Sequence, residues 1–402
     1  YFLFKILKQL PISIYGVILG ISLFAFNYSF IYYSSEVKQY MTDVLSITAM
    51  LYFYFKDYRY EKDKYIALSI AGVIIIFLSN VSPIILFSFG AALLYDYYKN
   101  KNISFRYIAT VFLIWLITYS IYYISFIKGH PAREIMLFFW TMADGFLPAN
   151  PLSKEFYVFL FTKGNLILIS LISFGSAGEI VLLILIITGI IYLYKIGKSD
   201  ILILTITPLL LHLTLSGLKL YPFEGRLILY TIPGIIILCS AGLSIITDIF
   251  TSHIKNKKIS YPVIIIPVIL LISFFSMSSR GFPIKNEEIK NSINFVDQNI
   301  SEQENIYVYW AANSAFKYYN EVEFVKTKAP VFYGVSSRNN KEKYIEEIKG
   351  LKGKYWFIFS HVKFNEENYI TEKLDSLGYK KLKEFKTTGS SCYLYDLDVP
   401  GN

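Results

Sequence analysis

The sequence has little cysteine, histidine and charge for its length of 402 residues. Two cysteines cannot build a disulfide framework, and four histidines beside them give no Cys/His cluster of the kind that binds zinc. Charged residues make up 17%, against about 25% in a typical globular protein, which disfavours an ordinary soluble enzyme. The motifs HExxH, GxSxG and the glycine-rich phosphate loop are missing. The sequence therefore gives no support for metal-assisted hydrolysis, serine hydrolysis or a nucleotide site.

Long apolar runs fill residues 1–279 instead. A membrane-spanning helix needs about 20 mostly apolar residues. We predict nine spans, at 10–33, 37–55, 65–80, 82–98, 106–127, 177–194, 201–217, 227–250 and 261–278. Residues 280–402 alternate β-rich runs with charged amphipathic stretches, which predicts a mainly parallel sheet covered by helices. The predicted fold class is a polytopic α-helical membrane bundle followed by a small C-terminal α/β soluble domain.

The net charge of +9 lies almost wholly in the membrane part, where 21 Lys and Arg stand against 13 Asp and Glu. Fourteen of these cations lie in one set of alternate gaps between spans and seven in the other. Since cytoplasmic loops carry the excess of Lys and Arg, the first set is predicted to be cytoplasmic. The outer loop 128–176 and the C-terminal domain 280–402 then lie outside the cytoplasmic membrane. The charge reports insertion into a lipid bilayer and does not indicate a nucleic-acid partner.

Ionisable residues within or beside the spans are the candidate site residues, because they are costly in hydrocarbon and often mark a function. The outer cations Lys38, Arg133 and Arg226 are predicted to bind the phosphate of an anionic lipid. Neighbouring side chains, and one histidine inside span seven, are candidates to orient or line that site: Tyr32, Tyr33, Glu36, Tyr40, Glu224 and His212. Plainer interpretations stay open, namely an aromatic belt, an interfacial anchor, a surface ion pair and a His bonded to a neighbouring helix.

The stretch Tyr33-Ser-Ser-Glu36-Val-Lys38-Gln-Tyr40 resembles the YSxExRxY stretch of bacterial membrane glycosyltransferases of the GT-C superfamily. Among these it is similar to family 39, the protein mannosyltransferases and the aminoarabinose lipid A transferase, with Lys38 where the pattern has Arg. Glu224-Gly-Arg226, followed by Pro233 and Ala241-Gly242, resembles the late R…P…AG span of the same proteins. The resemblance implies transfer of a sugar from a polyprenyl-phosphate-linked donor to a glycan, lipid or protein acceptor at the outer face. It assigns no cofactor and leaves the need for a divalent metal open.

The resemblance also implies a catalytic Asp in the first outer loop, ahead of the Tyr-Ser-Ser-Glu stretch. Here the first predicted span runs directly into that stretch, so we expect the Asp to lie upstream of Tyr1 and this chain alone to be inactive. Other classes of protein remain as alternatives. A lipid-linked glycan polymerase or ligase would share the outer site without needing an α/β tail. A polytopic transporter would show broken helices in two related halves, which we do not find. The third alternative is a receptor with an outer α/β domain.

Overall fold

The computed structural model describes residues 1–100, 103–171, 176–253, 285–321, 327, 329–335 and 340–400. The chain divides into two compact units, Tyr1–Gly281 and Phe282–Asn402. The described residues of the first unit share one apolar core, and those of the second form two smaller cores. The predicted ninth span, 261–278, lies outside the described residues.

Twelve α-helices make up the described part of the first unit. In chain order they are α1 (Phe2–Gln9), α2 (Ile14–Ala25), α3 (Tyr28–Ser34), α4 (Tyr40–Phe55), α5 (Glu61–Leu78), α6 (Ser82–Lys99), α7 (Phe105–Tyr122), α8 (Ala132–Met142), α9 (Lys154–Leu171), α10 (Ser176–Lys195), α11 (Ser199–Gly217) and α12 (Ile232–His253). A π-helical turn, Tyr123–Ile127, continues α7, and a 3₁₀ helix, Gly225–Thr231, leads into α12.

Four helical segments of the described residues are long and apolar enough to cross a membrane. They are Phe105–Ile127, Gly178–Lys195, Ser199–Gly217 and Gly225–Thr247, and they coincide with predicted spans five to eight. The pair α2 and α3, bent by 45°, makes a fifth if it is counted as one broken span. The described residues are thus compatible with a membrane protein, and the prediction of about nine spans is not confirmed.

Predicted spans two to four fold as helices but fall short in length or in apolar character. Helix α4 has only 16 residues. Helix α5 begins with four charged residues, 61–64, and α6 ends in the polar stretch 95–99. A three-residue turn joins α5 to α6, which pack on each other as a helical hairpin. Pro83 lies in the first turn of α6, where its missing N–H leaves no hydrogen bond unmade.

Glycines let α12 pack closely on α2 and α10. A Cβ on Gly242 of α12 would lie 2.0 Å from the Leu185 carbonyl oxygen of α10. A Cβ on Gly16 of α2 would lie 2.3 Å from the Ser240 carbonyl oxygen of α12. Such approaches are possible only without a side chain, and small residues at helix crossings are typical of membrane bundles.

The second unit is a five-stranded mixed sheet between helices. Its described elements are α13 (Ile289–Asn299), β1 (Glu304–Val308), α14 (Asn313–Glu321), β2 (Val331–Tyr333), α15 (Glu342–Lys349), β3 (Lys354–Ser360), α16 (Glu366–Ser376), β4 (Tyr379–Thr387) and β5 (Ser390–Pro400). The strand order is β2-β1-β3-β5-β4. Helices α13 and α14 pack against one face, and α15 and α16 against the other.

The sheet corrects one expectation and adds one strand. Strands β2, β1 and β3 are parallel, but β5 runs antiparallel to both β3 and β4, so the sheet is not mainly parallel. Strand β4 was not predicted from its sequence, because this edge strand is exposed along most of its length and rich in lysine. Lysine is typical of edge strands, where it opposes pairing with other chains. The sequence of residues 322–326 also predicts a short strand, and this run lies outside the described residues.

Both cysteine thiols are buried. Cys239 lies in α12 and Cys392 in β5, and neither side chain is exposed. Burial raises the pKa of the Cys392 thiol to about 12, which keeps it protonated at neutral pH. Since the thiolate is the reactive form, neither position is suited to react with thiol reagents in the folded chain.

Candidate functional site

A cavity of about 300 Å³ lies in the first unit, where several of the predicted outer segments meet. Its walls come from the start of α4, the turn between α5 and α6, helix α8, the stretch 219–222 and the start of the 3₁₀ helix. Three predicted site residues line it, namely Tyr40, Arg133 and Arg226. These residues are far apart in sequence, and the fold brings them together.

Arg226 lies at the centre of the contacts around this cavity. Its guanidinium lies over the ring of Tyr40, 5.4 Å from the centroid, and over the ring of Trp140, 5.7 Å from the centroid. Cation–π contacts of this kind hold a cation in place without neutralising it. Among the described residues, no carboxylate lies within ion-pair distance of Arg226. The guanidinium is exposed and its hydrogen-bond donors are available to a ligand.

The cavity is positively charged. Arg133 on α8 and Lys219 line it together with Arg226, and none of the described lining residues is acidic. Lys219 has a left-handed backbone, with φ of 55°, in the turn that follows α11. Burial raises the pKa of Tyr221, which also lines the cavity, so its hydroxyl stays protonated and can donate a hydrogen bond. A cleft lined by charges of one sign attracts the opposite sign, here an anion.

Two long-range hydrogen bonds join the residues that follow α8 to the region between α11 and the 3₁₀ helix. The Phe223 N–H donates to the carbonyl oxygen of Gly145 at 2.8 Å. The Leu147 N–H donates to the Ser216 hydroxyl at 2.9 Å. The residues that follow α8 are therefore fixed to the last turn of α11 and to the stretch that follows it, and Trp140 and Arg226 meet across this contact.

Glu224 does not pair with the cavity cations. It forms an ion pair with Lys163 of α9, and both side chains are largely buried. The ion pair between Glu224 and Lys163 therefore does not support the predicted role of Glu224, which was to orient the phosphate-binding cations. The pairing instead fixes α9 to the start of the 3₁₀ helix and leaves Arg226 uncompensated.

The Tyr32–Tyr40 stretch reaches the cavity only at its C-terminal end. Tyr33 packs edge-to-face on Tyr40 with ring centroids 5.2 Å apart, and both rings lie within electrostatic range of Arg226 and Glu36. Tyr32 stands one ring further away, against Tyr33. Lys38 is exposed in the bend before α4 and, like Glu36, does not line the cavity.

His212 lies behind the cavity wall and is fully buried. Its Nε2 is 2.9 Å from the Pro222 carbonyl oxygen, which can only accept, so Nε2 carries the proton. Its Nδ1 then accepts from the Tyr230 hydroxyl at 3.0 Å. With both nitrogens engaged, His212 anchors the 219–222 wall from α11, in agreement with the plainer interpretation of a His bonded to its neighbours.

Eleven lining residues lie outside the set that the sequence predicts, among them Asn80, Trp140 and Lys219. Asn80 is held by Asp43, a buried carboxylate on α4 that accepts hydrogen bonds from the Ser79 hydroxyl at 2.7 Å and from the Asn80 backbone N–H. In the sequence, the position of Asp43 beside an apolar run is a signal that can indicate a buried polar contact of this kind. Among the described residues, no group of three or more His, Cys, Asp or Glu side chains is placed to hold a metal ion.

Comparisons of the chain with protein-family models, with curated proteins and with solved structures found no match.

Proposed function

We propose that this chain is the donor-binding part of a membrane glycosyltransferase, and that its cationic cavity holds the phosphate of a polyprenyl-phosphate-linked sugar. The observation that carries the proposal is the convergence of Arg133, Lys219 and Arg226 on one cavity with no acidic residue among its described lining. An anionic headgroup is the ligand that such a lining selects. The apolar residues beside the cations, such as Met136 and Leu137, suit a ligand that also carries a lipid chain.

The chemistry of transfer gives these cations a role. The acceptor oxygen forms a bond to the anomeric carbon while the bond from that carbon to the phosphate oxygen breaks, and the acceptor proton passes to a base. Negative charge grows on the leaving polyprenyl phosphate, where Arg226 offers a fixed fork of donors. No described lining residue is a carboxylate, so the base that takes the proton is proposed to lie elsewhere, as the resemblance implies.

The proposed location is the cytoplasmic membrane, with several passes and with the second unit outside. A membrane-impermeant maleimide applied to intact cells tests this placement, because both native thiols are buried and a single introduced cysteine is then reported. Glu384→Cys, at an exposed position of β4, should be labelled without permeabilisation. Lys8→Cys, exposed on α1 and predicted to be cytoplasmic, is the matched control and should be labelled only after permeabilisation. The reverse pattern would invert the topology.

The function is tested with purified chain in nanodiscs and radiolabelled polyprenyl-phosphate sugars. We expect saturable binding that unlabelled polyprenyl phosphate displaces and that a polyprenol without phosphate does not. Transfer to a membrane extract would establish the enzyme. Binding without transfer would support the assignment of the donor phosphate to this chain and leave the enzyme unproven. Absence of binding, or uptake into sealed vesicles without any transfer, would remove the proposal in favour of a transporter or receptor.

A further inference from the structure

A second cavity, of about 260 Å³, lies within the C-terminal unit and has a different chemistry. It opens at the carboxyl end of β3, since His361 and Val362 follow the last residue of that strand directly. Its opposite wall is the start of β5, which is paired with the end of β3 through Ser360 and Ser390. In open α/β sheets, ligands bind outside the carboxyl ends of the parallel strands.

A His–Glu pair stands in this cavity. The Nδ1 atom of His361 is 2.6 Å from the Glu287 carboxylate, so Nδ1 carries a proton and donates it. Among the described residues, nothing bonds the other ring nitrogen, Nε2, which is thereby oriented and available to a ligand. His361 also has a left-handed backbone, with φ of 55°, an uncommon conformation for a residue with a side chain.

A second side chain in the cavity, Glu367, also has a hydrogen-bonding atom that the described residues do not use. Glu367 of α16 accepts hydrogen bonds from the hydroxyls of Ser391 and Tyr393, each at 2.6 Å and both at Oε1. Its Oε2 accepts no hydrogen bond from the described residues. An ionised carboxylate has about four acceptor sites on its two oxygens, so Glu367 is held rigidly with capacity to spare.

The lining composition selects the class of ligand. Two carboxylates, Glu287 and Glu367, face one lysine, Lys386, so an anion is disfavoured. The remaining polar lining is hydroxyl and amide, from Asn286, Thr387, Ser390 and Ser391. Such a lining suits a neutral ligand that both donates and accepts hydrogen bonds. The volume lies just below the roughly 300–1,000 Å³ usual for ligand pockets, which suits one sugar ring or two.

We propose that this cavity is a saccharide-binding site, in which ligand hydroxyls donate to His361 Nε2 and Glu367 Oε2. Binding of sugar by the C-terminal unit is independent of the phosphate cavity in the first unit. Either site can therefore fail its test without deciding the other.

The test uses the full chain in nanodiscs and saturation-transfer difference NMR with maltose, cellobiose and N,N′-diacetylchitobiose as neutral probes. We expect saturable signal for at least one of them. His361→Asn removes the ring while keeping a residue that tolerates the left-handed backbone. Glu367→Gln keeps an oxygen for Ser391 and Tyr393 and replaces the open acceptor by a donor. Each variant should weaken binding about tenfold, as the loss of one hydrogen bond with a group left unpaired predicts.

Two controls separate the outcomes. Glu384→Gln changes an exposed carboxylate of the same unit outside the cavity and should leave saccharide binding unchanged. Hydrogen exchange of the sheet amides checks that each variant is folded. If the His361→Asn chain does not fold, the Glu367→Gln chain alone tests the proposal. The proposal is overturned if no probe binds, if binding survives both cavity variants, or if inorganic phosphate competes and Lys386→Ala abolishes that competition.

Discussion

Replacing Arg226 by alanine should weaken binding of a polyprenyl-phosphate sugar about 30- to 150-fold. A hydrogen bond to a charged group contributes about 1.5–3 kcal/mol, and Arg can make two such bonds to one phosphate. A loss of about 2–3 kcal/mol corresponds to this range. The loss should be large because no described carboxylate neutralises Arg226, so its full charge is available to the ligand. The measurement is equilibrium binding of the radiolabelled donor in nanodiscs.

Graded variants separate charge from geometry at this position. Arg226→Lys keeps the charge but loses the planar fork, and its effect should be intermediate, about tenfold. Arg133→Ala, on α8, removes a cation that lines the cavity without the aromatic contacts of Arg226, and should cost less than Arg226→Ala. Arg106→Ala, on α7 and away from the cavity lining, is the matched control with the same chemical change.

The salt dependence of donor binding provides a second test with the same variants. Attraction between an exposed cation and a phosphate is screened with a Debye length of about 8 Å at physiological ionic strength. Donor affinity of the unchanged chain should therefore fall as salt rises, and the Arg226→Ala chain should show a shallower dependence. Equal affinities for Arg226→Ala and Arg106→Ala would show that the donor phosphate is bound somewhere other than this cavity.

The candidate site was predictable where local sequence carries its own signal. Arg226, Arg133 and Tyr40 are polar or aromatic residues beside apolar runs, and the energetic cost of a charge near hydrocarbon marks such positions without any structure. The partners of these residues were not predictable, because they depend on long-range packing. Nothing in the sequence pairs Glu224 with Lys163, which lies 61 positions earlier. The same holds for the His361–Glu287 pair, whose members are 74 positions apart.

The fold, like the candidate site, was predictable where the local sequence carries a signal and not where long-range packing decides. The pattern of apolar and charged residues predicts a helix at 341–351 and a buried strand at 355–360. These ranges agree closely with α15 and β3, because each element buries one regular face or both. The prediction of about nine spans is not confirmed by the described residues, because apolar runs alone do not distinguish a crossing helix from a shorter buried one. Helices α5 and α6 pack within the core of the first unit yet begin or end in charged and polar turns. Packing partners, which a single sequence does not reveal, decide such cases.

Gly242→Ala should destabilise the first unit more than any other single-methyl change we consider. The new Cβ would lie 2.0 Å from the Leu185 carbonyl oxygen and 2.6 Å from the Thr188 hydroxyl of α10. The nearest atom belongs to the backbone and cannot rotate away, so α10 and α12 must move apart. Overpacking typically costs about 1–3 kcal/mol, and we expect a cost at or above the upper end of that range because a helix has to shift.

Gly164→Ala is the matched control for this prediction. Gly164 lies within α9, and no heavy atom outside its own helical surroundings lies within 4 Å of the position its Cβ would take. There the same methyl should be neutral or stabilising, since alanine is favoured over glycine inside a helix by about 1 kcal/mol. The measurement is the thermal midpoint of each variant in the same detergent. Equal midpoints for the two variants would contradict the close approach of α10 and α12 at Gly242.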